Sequence, residues 1–176
     1  MKFRKATEKD LQAVADIYSD IHTAEEQGIT SIGWVRSIYP TAETAKMSLE
    51  RDDLFVAEDD GVIVGTAIIN QIQVYVYEGA PWKHEAPDEK VMVLHTLAIS
   101  PKAFGKGYGK GFVNFYEEYA MEHGCPYLRM DTIAINSRSR AMYKKLGYEE
   151  INIVPCVLNG IEDVPLVLLE KKLKKN

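Results

Sequence analysis

Between Pro101 and Gly111 the chain reads Pro-Lys-Ala-Phe-Gly-Lys-Gly-Tyr-Gly-Lys-Gly, with glycine at the alternate positions 105, 107, 109 and 111. Alternating glycines let a backbone approach a ligand closely and turn successive amides the same way. An amphipathic pattern follows at once, so the loop opens onto a helix start whose unpaired amides and positive dipole end favour an anion. Lys102, Lys106 and Lys110 add positive charge. A phosphate-bearing guest is the expectation, and a merely flexible connection is the alternative. Two common phosphate loops are excluded by position. Lys110 and Phe112 stand where a Gly-x-Gly-x-x-Gly begun at Gly105 or Gly107 needs its third glycine, and no Gly-Lys-[Ser/Thr] follows.

A second group with chemical capacity is His95, which interrupts the apolar run from Val91 to Ile99. A neutral imidazole there can take a proton near neutral pH; a hydrogen-bonded core histidine explains it equally well. His22, His84 and His123 are scattered, without ligand spacing to Cys or Asp, so no metal is expected. Cys125, between Gly124 and Pro126, reads as a small buried residue rather than a nucleophile.

The elements that must carry these groups follow from periodicity. A short strand over 3–6 precedes Thr7-Glu8-Lys9-Asp10, a helix start with acids suited to the positive dipole end. Leu11, Val14, Ala15, Tyr18 and Ile21 then form a 3.6-residue stripe. A second helix is expected from Thr41 to about Arg51 and a strand at 54–57. Asp59-Asp60-Gly61 marks a hairpin into a strand over 62–69. Residues 73–90, rich in aromatics and charge, read as an elaborated hairpin connection to the strand over 91–99. A helix over 109–123 presents Phe112, Phe115, Tyr116, Tyr119 and Ala120 on one face and stops at Gly124. A strand over 127–135, a helix over 137–146 and strands near 148–154 and 164–171 complete the chain, the last two joined at Asn159-Gly160. The order β-α-α-β-β-β-α-β-α-β-β implies an α/β (α+β) fold, a mixed sheet flanked by helices.

Composition narrows the function. The 176 residues are 46% hydrophobic and 27% charged, as expected of one soluble globular domain spanning 1–176. A net charge of −5 argues against gripping nucleic-acid backbones. Two cysteines cannot build a disulfide framework. The start lacks the apolar core of a signal peptide, and runs such as 164–169 are too short to span a bilayer. A cytoplasmic enzyme or small-ligand binder, acting at no membrane, is the expectation. An edge position for the last strand, near 164–169, would let two copies pair as a homodimer.

The loop resembles that of the GCN5-related N-acetyltransferases, the GNAT acyltransferases, whose acyl-CoA loop reads [Gln/Arg]-x-x-Gly-x-[Gly/Ala]. Phe104-Gly105-Lys106-Gly107-Tyr108-Gly109 matches at both glycines and departs at Phe104, where the family has a polar side chain. Val93 to Pro101 resembles the family's fourth strand, and Asn136 with Tyr143 seven residues on, then Gly147-Tyr148, resembles its later motif. Two motifs in the right order, about thirty residues apart, specify more than either alone. The resemblance covers nearly the whole chain and is weakest at 22–40 and 73–90.

This resemblance implies transfer of an acetyl or other acyl group from acetyl-CoA to a primary amine by direct attack on the thioester. Leu97, Ala98 and Ile99 would hold the donor arm, and the loop from Phe104 through Gly105, Lys106, Gly107, Tyr108 and Gly109 to Lys110 its phosphates. Asn136 would contact the cofactor, although a plain N-cap serves as well. Tyr143 would protonate the departing thiolate, the alternative being a tyrosine packed on the sheet. His95 is the candidate base; Glu25, Glu26, Asp131 and a water chain compete with it. The acceptor, a small-molecule or peptide amine, would be met by the segment between the first two helices (Trp34, Arg36, Tyr39), the 73–90 insertion and the connection around 155–163. Aromatics with Glu78, Glu85, Asp88 and Glu89 would suit a cationic amine, yet mostly read as packing and solvated charge. A non-catalytic acyl-CoA-binding sensor is the rival function, and a phosphate-binding module without CoA chemistry a second.

Overall fold

The computed structural model describes residues 1–174. The strands are β1 (Lys2–Lys5), β2 (Leu54–Asp59), β3 (Val62–Asn70), β4 (Val91–Ile99), β5 (Tyr127–Ile133), β6 (Glu149–Leu158) and β7 (Ile161–Lys172). The helices are α1 (Leu11–Glu26), α2 (Ala42–Glu50), α3 (Tyr108–Glu122) and α4 (Ser137–Lys145). The chain order is the one expected, and the strands form a seven-stranded sheet ordered β1-β2-β3-β4-β5-β7-β6. Pairing is antiparallel for β1–β2, β2–β3, β5–β7 and β6–β7, and parallel for β4–β5. Among the described residues no helix is long and apolar enough to cross a membrane.

The chain divides into two compact units: residues Met1–Ile69 with His95–Phe115, and residues from Asn70 to Leu94 with those from Tyr116 onward. In the first unit, α1 turns Val14, Ile17, Tyr18 and Ile21 into one core cluster with Leu54, Val56, Ile68, Ala45 and Ala98. Each aliphatic side chain withdrawn from water there contributes roughly 1.5–3 kcal/mol. Asp60 and Gly61, both at positive φ, turn β2 into β3 as the Asp-Gly pair requires. Gly65 on β3 sits in close quarters: a Cβ would lie 2.7 Å from Ile99 Cδ1, which would have to move, and 3.1 Å from the Ala98 carbonyl. Phe3 stacks on Phe115 and meets Phe112 edge-on, fastening the start of α3.

In the second unit, β5 aligns Tyr127–Ile133 against β7, and β7 in turn pairs with β6. The last strand is therefore internal, not at the edge expected of it. Its run Leu166–Leu169 is buried at every residue, so the strand is covered on both faces as well as paired on both flanks. The edge belongs to β6, which runs to Leu158 rather than ending near 154. That edge is guarded. Pro155 lacks an amide, register shifts fall near both strand ends, and the Val157 amide donates to the Tyr75 hydroxyl at 2.8 Å.

The entry to α1 rests on a buried carboxylate. Asp10 accepts two hydrogen bonds from Arg4, at 2.8 and 2.9 Å, and two from the Thr7 amide and hydroxyl. Those donors, Arg4 foremost, hold its carboxyl down at about 2. A depressed carboxyl stabilises the fold fully above its unfolded value and loses that contribution as pH falls towards the folded one. We expect Asp10→Asn to cost about 2 kcal/mol at neutral pH. It should also flatten the loss of stability between about pH 4 and pH 2, as urea unfolding across a pH series would show.

Candidate functional site

The sequence-selected residues fall in both units, and each set is built differently. In the first unit, β4 carries His95, Leu97, Ala98 and Ile99, of which Ala98 is buried and the others half-buried. Between His95 and Leu97, Thr96 takes φ +50°, a left-handed conformation that a β-branched residue rarely adopts. Two residues after the β4–β5 ladder has ended at Leu94, it interrupts the pleat within a strand that runs on to Ile99. The Thr96 hydroxyl shares a hydrogen bond with the Tyr39 hydroxyl. The sequence gives no sign of either feature, because Thr is an ordinary strand residue.

Beyond β4, the Ser100 amide donates to the Val64 carbonyl at 2.9 Å, and a 3₁₀ turn over Pro101–Ala103 leads to Phe104. Gly105 and Gly107 lie at φ +80° and +84°, and a Cβ at either would meet nothing within 4 Å. The loop is thus a left-handed stretch with open space along it. Tyr108 begins α3, and the first helical turn leaves its amides without intrahelical carbonyls. Tyr108 itself is buried, its hydroxyl 2.6 Å from Asp59 Oδ2. Lys106 and Lys110 are exposed, whereas Lys102 pairs with Asp20 at 2.8 Å and lends its charge to α1 instead.

The second unit holds Asp131, Tyr143 and Asn136. Asp131 on β5 is half-buried and accepts a 2.6 Å hydrogen bond from the Tyr77 hydroxyl. Loss of water pushes its carboxyl up to about 6, against the opposing effect of the Tyr77 donor. Tyr143 on α4 is buried and meets Tyr148 edge-on. Burial, then the charge of Asp131, raises the Tyr143 phenol above its ordinary value, so it keeps its proton. Asn136 caps α4, its side-chain oxygen accepting from the Ser139 amide at 3.2 Å.

Tyr77 is delivered by the 73–90 insertion, which is wrapped around Arg129. The Arg129 guanidinium is buried, lies 4.2 Å from the Trp82 ring centroid, and donates to Gln73 Oε1 at 2.6 Å and the His84 carbonyl at 3.3 Å. Trp82 donates to the Tyr77 carbonyl at 2.9 Å, and the Lys83 amide to buried Glu170 at 2.6 Å. The sequence placed these aromatics in packing and missed Tyr77 as the partner of Asp131; no local spacing links positions 54 residues apart.

The remaining candidate bases are engaged in structure. The Glu25 carboxylate accepts from Thr30 Oγ1 and from the amides of Ile32 and Gly33, and exposed Glu26 pairs with Arg36. Cys125 is a buried free thiol whose pKa is raised by burial.

Residues 11–148 match the Acetyltransferase (GNAT) family. The chain belongs to that family. It is 23% identical over 150 residues to YhfO of Bacillus subtilis (strain 168), an uncharacterized N-acetyltransferase, across 85% of this chain and 91% of that one. A GNAT-family acetyltransferase from Streptococcus agalactiae 2603 superposes with a TM-score of 0.80 at 22% identity, over 99% of this chain and 96% of that one. The acetyltransferase yncA of Salmonella typhimurium, solved with its cofactor acetyl-CoA, gives 0.69 at 18% identity, over 99% and 95%. The GNAT match spans the glycine loop, β5 and α4, where the chemical groups described above reside.

Because the Tyr77 hydroxyl donates to the ionised form of Asp131, its removal disfavours that form. Tyr77→Phe should therefore raise the Asp131 carboxyl above about 6, read directly by carboxyl-carbon NMR titration.

Proposed function

We propose that this chain is an acetyl-CoA-dependent N-acetyltransferase that acylates a primary amine by direct attack on the thioester. Beside GNAT membership, the observation that carries the reading is a pair of groups with opposite proton affinities in one unit. Asp131, at about 6, is poised to take a proton near neutral pH, and Tyr143 is held in the form that gives one. The two act on each other. Once Asp131 has accepted a proton, the lesser of the two influences that raise the Tyr143 phenol is gone; burial still holds it up, but the phenol releases its proton more readily than before.

Acetyl-CoA supplies the thioester carbonyl and a thiolate leaving group. The loop from Phe104 to Lys110 suits its phosphates: the left-handed glycines leave open space where side chains would intrude, and α3 begins with unpaired amides. Phe104, where the family carries Gln or Arg, leaves that task to the backbone and to Lys106 and Lys110. The backbone of Leu97, Ala98 and Ile99 serves the donor arm, with oriented amides suited to developing oxyanion charge. Asn136 fixes the start of α4, and through it the helix that bears Tyr143. Of the bases the sequence put forward, Asp131 has the environment the task needs; His95 is the second candidate.

Calorimetry should show acetyl-CoA binding, and failure by folded protein removes the proposal. Consumption of acetyl-CoA across an amine panel, followed by released thiol, separates an enzyme from an acyl-CoA sensor. Tyr143→Phe and Asp131→Asn should each lower kcat by roughly 100-fold. The wild-type rate should rise as pH passes upward through about 6, where Asp131 becomes the free base. Asp131→Asn should erase that limb. Its survival there, with loss in His95→Gln, would assign the base to His95.

A further inference from the structure

The connection between α1 and α2 is mounted as a rigid bracket. Glu25 at the end of α1 grips the amides of Ile32 and Gly33 at 2.9 and 2.8 Å and the Thr30 hydroxyl at 2.8 Å. Arg36 reaches back to Glu26 at 2.7 Å and to Thr23 Oγ1 at 2.8 Å. His22, buried in α1, lies 2.8 Å from the Pro40 carbonyl through Nε2, which must carry the proton because a carbonyl only accepts. Val35 and Tyr39 form an isolated antiparallel bridge, and Trp34 meets the Tyr39 ring edge-on at 6.3 Å. Four side chains of α1, those of His22, Thr23, Glu25 and Glu26, thus fix the frame from which Tyr39 projects.

Tyr39 ends on Thr96, and Thr96 is the β4 residue in the left-handed region. A β-branched side chain in that conformation is strained and persists only where its surroundings hold it. The interacting partner that structure supplies is a hydroxyl on the bracket. Immediately after Thr96 come Leu97, Ala98 and Ile99, whose backbone direction is set by how the strand resumes.

We propose that Tyr39 is a positioning residue for the donor site: its hydroxyl holds Thr96 in the left-handed conformation and thereby sets the backbone of Leu97–Ile99. The bracket between α1 and α2 is in this way coupled to acyl-donor binding. That coupling rests on the acetyl-CoA reading above; the mechanical link between Tyr39 and β4 does not.

The test is a hydrogen-exchange and binding series on the full chain. Tyr39→Phe removes the hydroxyl and keeps the ring. Amide exchange across 96–99 should speed up, and acetyl-CoA should bind about five- to ten-fold more weakly, the cost of one hydrogen bond. Thr96→Gly adopts positive φ without strain, so in that background Tyr39→Phe should change neither quantity. Thr96→Asn, which also tolerates that region, substitutes if the glycine variant fails to fold. Unchanged exchange in folded Tyr39→Phe overturns the proposal, as does an equal effect in both backgrounds. If wild-type protein shows no acetyl-CoA binding, the functional reading and the donor coupling fall together, while the exchange data still decide the link to β4.

Discussion

A guanidinium buried on a strand imposes conditions on everything around it. Arg129 sits on β5 opposite Glu170 of β7, and burial pulls its pKa below the ordinary value while Glu170, Asp88 and Tyr77 oppose that shift. A charge so withdrawn from water is costly unless its donors and its flat face find partners. The 73–90 insertion supplies a glutamine oxygen, a carbonyl and an indole face, while the buried Nε is left without a hydrogen-bond partner. Winding round Arg129 fixes Trp82, Trp82 fixes the Tyr77 backbone, and Tyr77 ends on Asp131, two residues along the same strand. The electrostatic need of one side chain thereby sets the environment of a second, the Asp131 carboxyl.

The first unit solves a different problem. Its strand β4 departs from extended backbone partway along, and nothing in the composition of Val91–Ile99 provides for that. The departure is made at Thr96 with a partner hydroxyl from outside the strand. The glycine loop that follows needs no such help, since Gly105 and Gly107 enter the left-handed region without cost. One unit holds its unusual backbone by side-chain contact, the other its unusual carboxylate.

How far the sequence disclosed this depended on range. The α1 stripe, the Asp60-Gly61 turn, the glycine loop and the Asn136 cap are local patterns, and each was legible. The family resemblance followed from such local motifs. The internal place of β7 was not legible, because an apolar run such as Leu166–Leu169 reads alike in an edge strand and in one covered on both flanks. Nor was the Tyr77–Asp131 bond, which joins segments 54 residues apart. Asp131 was only one among several carboxylates until Glu25 and Glu26 proved to be engaged in holding the α1–α2 connection.

The guard on β6 extends the duties of the insertion. Tyr75, whose hydroxyl occupies the Val157 amide, lies two residues before Tyr77. Beside it on the edge strand, Ile153 and Val157 are about half exposed, at 50% and 53%. One short segment therefore both orients a carboxylate and keeps a sticky border from recruiting other chains. A substitution along 73–90 that releases Tyr75 would bare the β6 edge, and one that releases Tyr77 would change the Asp131 carboxyl, so the two effects are tied to one stretch of backbone.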